Sequence, residues 1–162
     1  KAKRDTGTFS YACHAVVVAV DPKLGSVDIL DYVIIEDGGV LVNPMVVDGQ
    51  IIGGVAQGIG TALYEEMPFD EHGQPLASTL ADYMLPGAPE VPSIRIQHIE
   101  SPSPYTEFGQ KGIGEGGAIA PPAAIVNAIN DALKDMGVEI AESPISPKRL
   151  LAAITKAKLE HV

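Results

Sequence analysis

Apolar and polar positions follow two different periods along this chain, and the changes of period mark its elements. Residues 9–20, Phe-Ser-Tyr-Ala-Cys-His-Ala-Val-Val-Val-Ala-Val, are rich in valine and aromatics and predict a strand. Asp21-Pro22-Lys23-Leu24-Gly25 supplies a turn, with proline fixing φ and glycine admitting φ > 0. A second strand over 26–36 completes a hairpin, which Gly38-Gly39 ends. Asn43-Pro44 then reads as a helix start, with Asn as N-cap and Pro in the first helical position. The helix it opens runs from Pro44 to about Glu66 and contains Gly49, Gly53, Gly54, Gly58 and Gly60. At about 1 kcal/mol each relative to alanine, these glycines weaken it by roughly 5 kcal/mol. A helix so weakened has another backbone, or a ligand, pressed against it.

Phe69 to Pro75 is a turn-rich hairpin tip, and Leu85 to Pro92, with three prolines, reads as extended loop. Alternation returns at 94–100, Ile-Arg-Ile-Gln-His-Ile-Glu, and predicts a half-buried strand. The irregular segment that follows carries Pro102, Pro104 and the glycines of 109–117; a long structureless stretch in a compact domain is usually functional. A helix begins near Pro121-Pro122, with Ile125, Ile129 and Leu133 on one face and Gly137 closing it. Pro147 opens a final short helix containing Leu150, Leu151 and Ile154. Strand pairs mixed with helices, without a regular βαβ alternation, predict an α+β fold. It consists of β-hairpins packed with a glycine-rich helix, an Ala-rich helix after the glycine loop and a short C-terminal helix. At 162 residues, 1–162 reads as a single domain.

Composition narrows the partners. With three Phe, five Tyr and no Trp, the core must be built from Val, Ile, Leu and Ala. The formal net charge of −10 repels phosphate backbones and anionic lipid, so no nucleic acid and no membrane surface is expected as partner. The apolar stretch from Ile51 to Leu63 is too short for a membrane span and carries Gln57. The charged start, Lys1 to Asp5, lacks the apolar run of a signal peptide. A single cysteine, Cys13, allows neither an intrachain disulfide nor a multi-cysteine metal site and suits a cytoplasmic protein. Within its Val-rich strand Cys13 reads as a small buried hydrophobe.

The densest chemical signal is Gly109-Gln110-Lys111-Gly112-Ile113-Gly114-Glu115-Gly116-Gly117. Alternate glycines let a bulky ligand approach the main chain and free N–H groups toward an anion, with Lys111 as a positive donor at the edge. Glu115 is the only carboxylate in the stretch and a candidate general base. The same residues also suit an exposed loop whose Glu complements the following helix. Gly112, Gly114 and Gly117 satisfy the dinucleotide fingerprint by spacing, but no strand precedes them, so that reading is rejected. Gln57, polar in a glycine-lined apolar stretch, needs a partner if buried and is otherwise a rim residue. His14, His72, His98 and His161 show no metal-ligand spacing, so no protein-ligated metal is expected.

Asp37-Gly38-Gly39 through Asn43-Pro44, then Val47 to Glu66, resembles the molybdenum-binding subunit of the xanthine dehydrogenase and aldehyde oxidase family. So do Asp82-Tyr83 with Leu85-Pro86, and Lys111 to Gly117 followed by the Ala-rich helix. The likeness runs in order from about residue 9 to 154 and is strongest to bacterial members, including carbon monoxide dehydrogenase large chains. It implies that Glu115 is the catalytic glutamate. By the same likeness Gln57 contacts the pterin, and Lys111, Gly112, Ile113 and Gly114 line the cofactor. It implies a molybdenum–molybdopterin cofactor, in the cytosine dinucleotide form, whose metal is held by the pterin dithiolene. The family hydroxylates an aldehyde or N-heterocycle with oxygen from water, and electrons leave through 2Fe-2S clusters and FAD on partner subunits or domains. In it the glutamate acts as base, and burial should raise its pKa toward the working pH. The match covers only the C-terminal part of that subunit. The chain is therefore expected to be an excised domain or half of a split subunit, inactive alone. Its expected partners are the rest of the molybdenum subunit, an iron–sulfur subunit and an FAD subunit. A non-catalytic interaction or assembly module, or a binding domain for another anion, could keep the same glycine motifs.

Overall fold

A computed structural model describes residues 8–160; the readings made on Lys1 to Asp5 and on His161 lie outside the described residues. Two long strands, β1 (Tyr11–Asp21) and β2 (Ser26–Asp37), form the predicted antiparallel hairpin, with a bulge between Val17 and Val18. β3 (Ile94–His98) joins the other edge of β2 in parallel, giving a three-stranded mixed sheet with β2 in the centre. The parallel pair is joined by a crossover that contains the first helix, the one such connection in an otherwise α+β arrangement.

That helix, α1, spans Pro44–Leu63, and its N-cap is the predicted one: Asn43 Oδ1 accepts from the Val46 N–H at 3.3 Å. It stops at Leu63, short of the expected Glu66, because the N–H groups of both Tyr64 and Glu65 turn back to the Gly60 carbonyl. A single turn, α2 (Gly116–Ile119), follows the glycine loop and leads into α3 (Pro121–Leu133). Gly137 terminates the last turn in the left-handed region, φ 68°. α4 (Pro147–Glu160) is longer than the short helix expected, at 14 residues.

The core lies between one face of the sheet and the helices. Tyr32 and Ile34 of β2 meet Ile51, Val55 and Ile59 of α1 and Ile125, Ile129 and Leu133 of α3, with Leu150 and Ile154 of α4 completing it. The opposite face of β1 stays open, so Cys13 is exposed rather than buried. Period-2 alternation put Cys13 on one face or the other, and the helices took the face carrying His14, Val16 and Val18.

The glycines of α1 divide between two functions. A Cβ on Gly54 would lie 2.8 Å from the Gly117 carbonyl carbon, and one on Gly58 would lie 2.6 Å from Pro121 Cβ. There the main chain of α2 and the Pro121 ring of α3 press directly on the helix. At Gly49 and Gly53 nothing lies within 4 Å. That stripe is open. Among the described residues no helix is long and apolar enough to cross a membrane.

Candidate functional site

The glycine loop is anchored at the buried end of β2. Asp37 is fully buried, and its Oδ1 accepts from the N–H groups of Gly39 (2.8 Å) and Ser101 (3.2 Å), while Oδ2 accepts from Lys111 Nζ (3.1 Å). Burial alone would raise the Asp37 carboxyl. The bonds from Gly39, Ser101 and Lys111 outweigh it and hold the group well below the usual carboxylate range. The Lys111 N–H also donates to the Gly38 carbonyl (2.8 Å), and the Val40 N–H donates to the Gly109 carbonyl (3.1 Å). Gly39 must be glycine here: φ is 67°, and a Cβ would strike the Gly109 carbonyl oxygen.

This anchoring corrects the expectation for Lys111 as a donor at the edge of a ligand site. Its ammonium is turned inward, neutralises Asp37 and lies 5.5 Å from the centre of the Tyr11 ring. Ile113 likewise packs inward, into the space left by the absent side chain of Gly38. The Lys111 ammonium is thereby enclosed, while Ile113 stays partly exposed.

Beyond the anchor the loop crosses α1. The Gln50 side-chain amide donates to the Gly114 carbonyl at 2.6 Å. Between them opens a cleft of about 360 Å³, with Gly49, Gly53 and Gln57 on one wall and Gly114, Glu115 and Ile119 on the other. A Cβ on Gly49, Gly53 or Gly114 would meet nothing within 4 Å, and Gly112 is open in the same way. Helix, loop and cleft thus form a cradle that these glycines keep open. Gln57 is exposed at the rim, not buried.

Glu115 caps α2 through its backbone, its carbonyl accepting from the Ala118 N–H at 2.9 Å. Its side chain is exposed at the cleft and makes no hydrogen bond or ion pair among the described residues. The burial implied by the resemblance is therefore not supplied by this chain's own atoms. Of the predicted residues, Gln57, Gly114 and Glu115 come together at one cleft; Lys111 and Ile113 support it from behind.

Gln50 was not singled out from the sequence, although its spacing carried the signal. It stands seven residues before Gln57, two helical turns, so both fall on the open glycine stripe. A ligand held here would meet side-chain amides and main-chain groups. Among the described residues no group of three or more His, Cys, Asp or Glu is placed to hold a metal ion. A cofactor that brings its own metal ligands fits such a donor set.

Residues 1–92 match the molybdopterin cofactor-binding domain family. The chain is 43% identical over 145 residues to the nicotine 6-hydroxylase large subunit of Paenarthrobacter nicotinovorans, covering 90% of this chain and 18% of the relative. It is 32% identical over 152 residues to the carbon monoxide dehydrogenase large chain of Hydrogenophaga pseudoflava, covering 94% and 19%. Among solved structures, quinoline 2-oxidoreductase from Pseudomonas putida 86 superposes with a TM-score of 0.86 at 45% identity, over 88% of this chain and 18% of that one. The chain therefore spans less than a fifth of the length of these relatives.

Proposed function

The chain belongs to the molybdopterin cofactor-binding domain family, and from that membership we propose that it is the C-terminal cofactor-binding portion of a molybdenum hydroxylase. The substrate class would be an aldehyde or an N-heterocycle. The observation that carries this reading is the glycine-lined cleft with an unpaired carboxylate, Glu115, at its mouth. An assembly module would have no use for that pairing.

The cofactor, when bound, supplies the oxygen-transfer and electron-accepting chemistry. Glu115 accepts, at a carboxylate oxygen, the proton shed as a water-derived oxygen adds to an electron-poor carbon. Gln57 offers an amide donor and acceptor at the rim, and the main chain from Lys111 to Gly114 lines the wall beside it. Gln50 fixes the Gly114 carbonyl, and the Lys111–Asp37 pair fixes the root of the loop. Closing the open side of the cleft would exclude water from Glu115 and hold it against the reacting carbon.

That closure needs chain outside these residues, in keeping with the share of its relatives that the chain spans. The partners proposed are the rest of a molybdenum subunit, an iron–sulfur subunit with 2Fe-2S clusters and an FAD subunit. The cytosine dinucleotide form of the cofactor is proposed from the likeness to bacterial members, and a cytoplasmic location from the single unpaired cysteine. Molybdenum and pterin content of the assembled enzyme, with turnover of Glu115→Gln, tests the reading. Full cofactor with undiminished turnover in that variant would remove Glu115 from the chemistry.

A further inference from the structure

β2 ends on two consecutive carboxylates, Glu36 and Asp37, in opposite circumstances. Asp37 is paired with Lys111 and two backbone N–H groups. Glu36 is 1% exposed, and neither of its carboxyl oxygens has a hydrogen-bond partner among the described residues. Such a group calls for an explanation, because an ionised carboxylate is stable in the interior only when paired.

Its position supplies one. A Cβ added to Gly116 would collide with Glu36 Oε1 and lie 2.8 Å from Glu36 Cδ. The Glu36 carboxyl thus fills the space that Gly116 leaves empty, directly after Glu115. A cavity of about 220 Å³, bordered by His14, Glu36, Gly116 and Ile119, opens beside it. Ile119 also borders the Glu115 cleft, so the two spaces lie side by side.

Among the described residues none of the groups around Glu36 pairs directly with its carboxyl. From β1, His14 shares a hydrogen bond of 2.8 Å between Nδ1 and the Tyr32 hydroxyl and leaves Nε2 buried and unpartnered, and burial lowers its basicity. From β3, His98 is engaged through Nε2 with Asp48 of α1 at 2.7 Å, with Nδ1 unpartnered. α2 presents Gly116, preceded by Glu115, and the β2 neighbour Asp37 is already neutralised. Burial pushes the Glu36 carboxyl up, and the field of His98 opposes this only in part.

We propose that Glu36 is a positioning residue of the Glu115 site, its carboxyl wedged beneath Gly116 so as to set the turn from which Glu115 enters the cleft. It acts as the neutral acid, with no charge to draw it into the cavity. When pH rises through its pKa, the new buried charge moves toward water and the turn moves with it. The inference rests on the reading of Glu115 as the base.

The test uses the assembled enzyme. Glu36→Ala should lower kcat by about 10²-fold, as a small misplacement of a catalytic group does, with cofactor content and KM nearly unchanged. Glu36→Gln, which keeps the shape and neutrality, should restore most of that rate and lack the alkaline decline of the wild type. An infrared difference spectrum between wild type and Glu36→Gln at neutral pH should show the C=O stretch of a protonated carboxylic acid. An ionised carboxylate band at Glu36, or a Gln variant with the wild-type alkaline limb, overturns the proposal. Undiminished turnover in Glu115→Gln would overturn the reading of the base while leaving the infrared band in place, so the two failures are distinguishable.

Discussion

Gln50 and Gly114, 64 residues apart, are joined by a hydrogen bond of 2.6 Å from the side-chain amide of one to the main-chain carbonyl of the other. The bond ties α1 to the glycine loop at the point where the cleft opens. Gln50→Glu keeps the size but replaces the donor with an acceptor facing a carbonyl. A hydrogen bond of this kind contributes about 1 kcal/mol net, so turnover should fall roughly fivefold through a loosened loop. Steady-state kinetics with parallel thermal melts checks this: kcat should drop while the melting midpoint barely moves, because Gln50 is exposed.

Neighbouring glycines of α1 should respond to alanine with opposite signs. Gly53 faces the open cleft, so Gly53→Ala should stabilise the helix by about 1 kcal/mol and yet lower cofactor content by filling the cradle. Gly54 lies against the Gly117 main chain, so Gly54→Ala should force α2 outward and destabilise the fold. Gly114→Ala belongs with the first kind: no neighbour is close and its φ is not positive, so folding should be kept and cofactor lost. Urea midpoints with molybdenum analysis separate the two classes; equal cofactor in all three variants would rule out the cleft as the binding place.

Removing the ammonium of Lys111 leaves Asp37 charged and buried. Lys111→Met should cost about 3–5 kcal/mol, the usual penalty for breaking a buried pair from one side. The pH dependence follows from the depressed Asp37 carboxyl. Its contribution to stability is fully present above the unfolded value, near 3.9, and is lost progressively as pH falls below it. Urea unfolding between neutral pH and about pH 2 should show that decline in the wild type, and a shallower one in Asp37→Asn.

What could be read from the sequence was local. Asn43-Pro44 and Gly137 mark helix ends through their own backbone chemistry, and Ile125, Ile129 and Leu133 share a face whatever they pack against. What escaped depended on distant chain. The direction of Lys111 is decided by Asp37, 74 residues earlier, and the parallel seating of β3 by a free edge of β2. α2 was missed because Gly116 and Gly117 are poor helix formers. Its turn exists because Gly117 can lie flush on the Ile51 main chain, where any side chain would collide. Glu36 looked like the polar end of a strand, and only the position of α2 over it shows that it is enclosed.

Glu115→Gln isolates the chemical step. The substitution keeps the shape of a side chain that has no hydrogen-bond partner among the described residues, so neither the fold nor the cradle should change. It removes the ability to accept a proton. General-base catalysis is typically worth about 10²–10⁴-fold, so the barrier should rise by roughly 3–5 kcal/mol. Because a base acts only in the chemical step, the loss should fall on kcat rather than on substrate affinity alone. Rapid-mixing measurement of the reductive half-reaction, on protein of verified molybdenum content, gives the decisive rate. A rate within about threefold of wild type is too small a change for an essential base and would assign the proton to another group.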